Sequence, residues 1–285
     1  MPHLKLFTIA TIFFITSSAQ AQDDPTSIFP ANSEPKLPLW ELGLAGLGFT
    51  QAAYPGSENR TNLALALPYI IYRGKYLRTD RGTVGIRTVK TPRYEVDVGL
   101  AGAIGSHSSD IEARRGMADL GTMIEFGPRL KINLGNLSND QNYSRLQLPL
   151  RGVIDVSHEF RFKGIAFEPR WVTETELTDR WKINSTLGAV FGYGELTNTF
   201  YGVAPNEATP TRASYSSKPG LIALRAGLSA SHKLTADARV FLAIRLESLT
   251  GAANNESPLI RQNSGWSAGV GFAWGLAYSE RDAID

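Results

Sequence analysis

The sequence predicts an all-β fold, an antiparallel transmembrane β-barrel of about 12 strands, and three observations predict it. The first is alternation. In Arg239–Leu249, Val240, Leu242, Ile244 and Leu246 fall on one side of an extended chain, and Arg239, Arg245 and Glu247 on the other. Successive strand side chains point to opposite faces, so this is a period-two pattern and not a helical one. The second is repetition. Similar stretches recur along the chain, and they average longer than the about 5–6 residues of soluble strands, nearer the about 9–11 of membrane-crossing ones. The third is targeting. Lys5, the apolar run Leu6–Ile15 and the small-residue site Ala19-Gln20-Ala21 before Gln22-Asp23-Asp24 make residues 1–21 a cleavable secretory signal, too short to stay as a membrane helix.

Composition narrows the class further. The sequence has no Cys, which excludes a disulfide, a thiolate metal site, a Cys nucleophile and lipid attachment at the cleavage site. Loss of the signal removes one Lys from 29 basic residues against 27 acidic, leaving a formal charge of +1 and no electrostatic footprint for nucleic acid. No apolar run of about 18 residues follows the signal, so the mature chain has no membrane helix. A barrel needs none, because only every second residue of its strands meets lipid.

Residues 22–38 contain Pro25, Pro30, Pro35 and Pro38 and read as a flexible periplasmic lead-in. The barrel is expected over residues 39–278. Trp40–Phe49 is the first strand, with Trp40, Leu42 and Leu44 on one face, and Tyr54-Pro55-Gly56-Ser57 turns it. Asn62–Tyr72 puts Leu63, Leu65, Leu67, Tyr69 and Ile71 on one face. Tyr76–Val89 is irregular, and Asp80-Arg81-Gly82 is placed to bulge it or split it. Tyr94–Ile104 points Tyr94, Val96, Val98, Leu100 and Ile104 outward and Glu95 and Asp97 inward. Gly105–Ala118 reads as a polar loop.

Asp119–Leu134 ends with Leu130, Ile132 and Leu134 against Arg129, Lys131 and Asn133. Ser144–Val156 sets Leu146, Leu148, Leu150, Ile154 and Val156 against Arg145, Gln147, Arg151 and Asp155. Lys163-Gly164 reads as a short turn, after which Ile165, Phe167 and Trp171 oppose Glu168, Arg170 and Glu174. Trp181–Tyr193 follows, then the longest loop, Leu196–Lys218. Leu221–His232 sets Ile222, Leu224, Ala226 and Leu228 against Arg225. Beyond the opening stretch lie the loop Gly251–Ser264 and a last strand, Trp266–Tyr278, apolar at every second position. Residues 279–285 form a tail. About eleven strands are legible, and closure with both termini on one side needs an even number, so twelve are expected, with Tyr76–Val89 or the region before Trp40 supplying the last, and ten is the fallback. Trp181, Tyr193, Trp266 and Tyr278 stand at strand ends, where interfacial aromatics sit.

Several motifs fall in an order that resembles one family. They are Trp40-Glu41-Leu42-Gly43-Leu44, Tyr54-Pro55-Gly56-Ser57, Leu67-Pro68-Tyr69 with Tyr72-Arg73, Tyr201-Gly202-Val203, Leu249-Thr250-Gly251 and Ser257-Pro258-Leu259. Between about Trp40 and Tyr278 the chain resembles the MipA/OmpV family of Gram-negative outer-membrane proteins, named for an MltA-interacting scaffold. Two features depart from the family pattern: Gly251-Ala252-Ala253-Asn254-Asn255-Glu256 where acidic residues are usual, and a tail after Tyr278 where an aromatic residue usually ends the chain. The resemblance implies an outer-membrane location and, for the namesake, bridging of a murein transglycosylase and a penicillin-binding protein. Other members look like adhesins or solute-permeability factors.

The residues themselves point to no catalysis. Ser157-His158 and Ser231-His232 are strand neighbours and face opposite ways, so neither forms a dyad. Ser106-His107-Ser108-Ser109-Asp110 lies in a polar loop. No phosphate loop or metal-ligand spacing appears, and the resemblance brings no catalytic residue, so no catalytic, cofactor-binding or metal residue is expected. Function then rests on either a scaffold or a narrow pore. Mixed charges on the inner face favour a closed lumen, because opposite signs on adjacent strands pair.

Overall fold

A computed structural model describes residues 38–72, 77–78, 85–103, 105–135, 142–157 and 159–281. The signal, the lead-in before Pro38, Asp80-Arg81-Gly82, Ile104, His158 and the tail beyond Arg281 lie outside the described residues. The strands are β1 (Trp40–Ala52), β2 (Arg60–Tyr72), β3 (Leu77–Arg78), β4 (Gly85–Lys90), β5 (Tyr94–Ala103), β6 (Met123–Asn133) and β7 (Asn142–Asp155). They continue with β8 (Arg161–Phe167), β9 (Arg170–Glu176), β10 (Trp181–Tyr193), β11 (Gly220–Lys233), β12 (Ala238–Ser248) and β13 (Ser264–Tyr278).

Every pairing is antiparallel, in the order β2-β1-β13-β12-β11-β10-β8-β7-β6-β5-β4-β3. β8 and β9 both lie between β7 and β10, separated by Glu168 and Pro169. Proline has no N–H for the ladder, so these two are one strand broken at Pro169, and the sheet has 12 positions. The expected split of Tyr76–Val89 supplies β3 and β4. The two ends of the sheet, β2 and β3, are consecutive in the chain, and the ribbon closes into a barrel. Thr61 and Ser106 bridge β2 to the β5–β6 loop, oxygen to oxygen at 3.2 Å. The short turns and both barrel termini share one end, where Leu39 N donates to Arg281 O at 2.7 Å and Ser279 N to Trp40 O at 2.9 Å. The start of the tail therefore extends the pairing of β13 with β1. The loops 53–59, 105–122, 194–219 and 249–263, with residues 156–157 and 159–160, stand at the opposite end.

The outer surface is an apolar belt. Leu187, Leu228, Leu242, Leu246, Val270 and Leu276 are all more than 45% exposed, far beyond what a soluble surface carries in one patch. At the turn end it finishes in Trp40, Tyr72, Tyr94, Trp181 and Tyr278, and at the loop end in Tyr193 and Trp266. No helix among the described residues is long and apolar enough to cross a membrane; the strands do the crossing.

The structure adds a direction to one expectation and corrects three others. First, β2 turns its leucines inward. Leu63, Leu65 and Leu67 are half-buried, Leu65 pairs with inward Leu47, and Ala64, Ala66 and Pro68 face out. Alternation shows which residues share a face, not which way the face points. Second, the chain turns between β7 and β8 at Glu159 and Phe160, which take φ of 53° and 54°, and not at Lys163-Gly164. Gly164, at φ 125°, sits inside β8 at a register shift that leaves Lys163 as the extra residue, and a side chain there would collide with the Tyr193 carbonyl. Third, a register shift in the β10–β11 pair leaves Ile222 unpaired and buries it, off the face of Leu224, Ala226 and Leu228. Fourth, Leu196–Lys218 is no plain loop. It carries most of the helix α1 (Glu195–Tyr201) and a 3-10 turn at Pro205–Glu207. Gly105–Ala118 likewise holds two 3-10 turns and the buried Ile111 and Ala113.

Candidate functional site

The inner face of β5 to β11, with one end of β12, is a wall of paired charge. Arg129 grips Asp97 through Nε at 3.0 Å and Nη2 at 2.6 Å, and Lys131 reaches Asp97 at 3.0 Å and Glu95 at 3.3 Å. A second chain of pairs runs around the barrel. Arg151 reaches Glu125 at 3.3 Å and Glu168 at 2.5 Å. The other oxygen of Glu168 takes Arg225 at 3.2 Å, Arg225 holds Glu247 at 2.7 Å, and Arg245 approaches Glu247 at 3.5 Å. Glu168 reaches Arg225 past β10 because β10 offers Gly188 at that level, in register with both Arg170 and Arg225. Arg170 puts two N–H groups on Gln147 Oε1 at 3.0 and 2.8 Å, Arg145 lies 4.0 Å from Glu174, and Lys182 3.4 Å from Glu176. Most of these side chains are under 10% exposed. Removing charges from water at this depth costs several kcal/mol per ion, so the carboxylates at the centre of the wall, Asp97, Glu168 and Glu247, each take two cations.

The middle of the inner face of β1, β2, β12 and β13 is apolar, with Glu41, Tyr69 and Arg239 at its turn end. β1 contributes Ala45, Leu47 and Phe49, β2 the three leucines, β12 Phe241 and Ala243, and β13 Gly269, Gly271 and Ala273. A cavity of about 260 Å³ follows this strip, with Arg245 and Gln51 at its loop-side margin.

The loop end holds a true hydrophobic core. Tyr54, Ile111, Ala113, Leu120, Tyr201, Val203, Leu249 and Leu259 pack together from four loops and rest on Val190, Ile222 and Ala223 of the barrel wall. Tyr54 Oη donates to Leu259 O at 2.6 Å, Tyr201 Oη to Pro55 O at 3.1 Å, and Ser257 Oγ to Tyr201 O at 2.8 Å. Gly56, at φ 94°, accepts from Arg261 N and Gln262 N at 2.9 and 3.2 Å. Two buried arginines staple loops together: Arg114 to the carbonyls of Ala118 and Thr199, each at 3.2 Å, and Arg212 to those of Ala113 at 3.0 Å and Glu207 at 2.7 Å. Burial pushes the Tyr54 phenol up to about 12, raises that of Tyr201, and pulls the Arg114 guanidinium down. The arrangement packs four loops into one stopper at the loop end of the barrel.

The inward charges expected from sequence, Glu95, Asp97, Arg145, Arg151, Asp155, Glu168, Arg170, Glu174, Arg225, Arg239, Arg245 and Glu247, all lie on strands of this lumen or, for Glu168, at the break between two. Glu125, Glu176 and Lys182 belong with them and were missed, because no clean run of alternation frames Glu125 and only the outer face of β10 reads clearly. The stopper was missed altogether. Its one sequence signal was the motif set: Tyr54-Pro55-Gly56-Ser57, Tyr201-Gly202-Val203, Leu249-Thr250-Gly251 and Ser257-Pro258-Leu259, far apart in the chain, meet there. Ser231 is buried inward and His232 lies outward, its ring 4.3 Å from that of Trp181. His107 bonds Asp119 at 2.9 Å in an exposed loop. Among the described residues no group of His, Asp and Glu is arranged to hold a metal.

A polar lumen inside a closed antiparallel ribbon with an apolar, aromatic-edged outer belt defines an outer-membrane β-barrel protein. Within that class the chain belongs to the family of MltA-interacting protein MipA, which it matches over residues 42–276. No curated protein matches it in sequence. Among solved structures it is similar to the NanC porin, at 10% identity and a TM-score of 0.41, covering 82% of this chain and 100% of that one. It is also similar to an outer membrane channel from Pseudomonas putida F1, at 10% identity and a TM-score of 0.36, covering 87% and 100%. The outer membrane protease OmpT from Escherichia coli is a further neighbour, at 9% identity and a TM-score of 0.29, covering 83% and 95%.

Proposed function

We propose that this barrel is a non-conducting, non-enzymatic anchor in the outer membrane that holds periplasmic murein-remodelling enzymes, a murein transglycosylase and a penicillin-binding protein. The stopper carries the reading: a barrel whose outer mouth is filled by Tyr54, Tyr201, Leu249 and Leu259 is built to stand in the membrane and not to pass solute. The family's description, an MltA-interacting protein, supplies the kind of partner. The work then falls to the periplasmic surface: the short turns, residues 279–285, and the lead-in 22–38 left by signal cleavage. The test is cross-linking in intact cells with a photoreactive residue placed in the lead-in and, separately, in the 177–180 turn. Capture of a murein transglycosylase or a penicillin-binding protein supports the anchor; failure of both positions to capture either enzyme overturns it. A narrow solute pore is the second reading, favoured by the cavity beside Phe49 and Phe241.

A further inference from the structure

The lipid-facing belt is not uniform. A shallow groove of about 530 Å³ crosses it over β1, β13, β12 and β11, toward the loop end. Register sets Thr50 beside Ala268 and Gly48 beside Val270 on the first two strands, and Leu242 beside Ala230 on the last two. Gly48, Thr50, Ala268 and Ala230 leave the hollow, while Leu228, Leu242 and Val270, each more than 45% exposed, stand up around it. Packing does not require the glycine. Gly48 is not among the glycines at positive φ, and a Cβ added there would come no nearer than 3.8 Å to Leu63 O and 3.9 Å to Val270 Cγ2. Glycine inside a strand costs stability and often marks a place where a ligand or another backbone comes close.

A cation stands at the head of this groove. Arg60 opens β2 on the outer face, reaches across β1 and places its guanidinium 3.8 Å from the ring centroid of Trp266. Its Nε donates to Thr50 Oγ1 at 3.1 Å, and its Nη1 to Trp266 O at 3.1 Å on the exposed side. Nη2 is covered by protein and makes no hydrogen bond among the described residues. Both acceptors are neutral, and no carboxylate pairs with Arg60 among the described residues. Arg261, in the loop above, already has Glu58 at 3.9 Å. The Arg60 charge is thus held at the aromatic girdle, at headgroup depth, without an opposite charge from the protein.

We infer that this surface docks a phosphorylated, multiply acylated glycolipid of the outer leaflet. A phosphate oxygen accepts from Arg60 on the exposed Nη1 side, and the acyl chains next to the headgroup lie in the hollow. The loop end faces the outer leaflet, so the lipid comes from there. The groove spans four strands set about 4.8 Å apart, broader than a single extended chain, which suits a lipid carrying several. A second copy of the barrel fits less well. A two-fold interface here, with its axis along the membrane normal, would bring two Arg60 side chains to the same depth with no carboxylate between them. The inference is independent of the anchor role, which concerns the opposite end of the barrel.

The test is native mass spectrometry of the folded barrel released from a neutral detergent, after incubation with diphosphoryl lipid A, the same lipid stripped of its phosphates, or phosphatidylglycerol. The expected result is a one-to-one complex with lipid A and much weaker ones with the other two. Arg60→Gln should weaken the lipid A complex about tenfold or more, the scale of one charge-assisted hydrogen bond, and leave the stripped lipid unchanged. Gly48→Leu fills the hollow from the lipid side and should abolish the complex, while Leu150→Phe, on the outer face of β7, should bind as wild type. Where Gly48→Leu loses its heat-modifiable band, Ala268→Leu decides in its place. No complex with the wild type, equal binding of the three lipids, or wild-type binding in Arg60→Gln or in the folded groove variant overturns the inference. So does a lipid-free dimer of the wild type that Gly48→Leu splits into monomers, which would give the groove to a second copy.

Discussion

On β12 the apolar residues Val240, Leu242, Ile244 and Leu246 face lipid and Arg245 faces the lumen. On β2 the arrangement is inverted: Leu63, Leu65 and Leu67 face the lumen, and Ala64, Ala66 and Pro68 face lipid. Both strands alternate with the same period. The difference teaches that a strand's outward face is set by what its neighbours present, not by which of its own faces is more apolar. β2 lies beside β1, whose inner face offers Leu47 and Phe49, so its leucines complete an apolar wall. β12 lies beside β11, whose inner face offers Arg225 and Ser229, so its charges turn in to meet them.

The largest effect is expected on the charged wall. Glu168→Ala removes the carboxylate shared by Arg151 and Arg225 and leaves buried positive charge short of a partner, a loss of about 3–5 kcal/mol. Leu65→Ala on the apolar wall, where the side chain is half-buried, should cost about 1–2 kcal/mol. Urea unfolding of both variants in lipid vesicles, followed by tryptophan fluorescence, compares them. Equal losses would remove the distinction between the two walls.

Next in size is the arginine pair Leu242→Arg and Leu65→Arg. The first puts a charge into lipid and should destabilise by about 2–4 kcal/mol near the midplane. The second puts it into the lumen, with no lipid-transfer penalty. The fraction of heat-modifiable folded protein measures both, and a heavier loss at Leu65 would return the β2 leucines to the lipid face.

Smaller effects belong to the stopper. Tyr54→Phe removes the bond to the Leu259 carbonyl and should cost about 1 kcal/mol in thermal unfolding. Burial raises the Tyr54 phenol from about 10 to about 12, so the folded state holds this proton where the unfolded state has lost it. Its contribution is fully present below pH 10 and is lost as pH rises through 12. Tyr54→Phe should flatten that part of the alkaline stability profile. The smallest effect is at His107. Asp119 raises its pKa above the ordinary 6.5, so its small contribution is present below 6.5 and lost as pH rises through the raised value. An NMR titration of His107 should show that upward shift, and Asp119→Asn should abolish it.

What was legible in the sequence follows from this geometry. The class of fold and most of the inward charges could be read, because alternation is a local property of neighbouring residues. The direction of β2 could not, since it depends on β1 and β13, the last of which lies some two hundred residues away. Nor could the bulges at Gly164 and Ile222, each one residue long and each reversing the count of faces downstream. The stopper was least legible. Its core unites Tyr54, Ile111, Tyr201 and Leu259 from four loops whose surface residues read as polar, and nothing periodic marks them.

The central claim is that the stopper closes the barrel, and single-channel recording in planar bilayers tests it most directly. Purified wild type is expected to give little or no steady current at either polarity. Combined Tyr54→Ala, Tyr201→Ala and Leu259→Ala should open a leak, and further loss of Arg239, Arg245 and Glu247 should widen it. Large, steady conductance from the intact wild-type barrel would contradict the account.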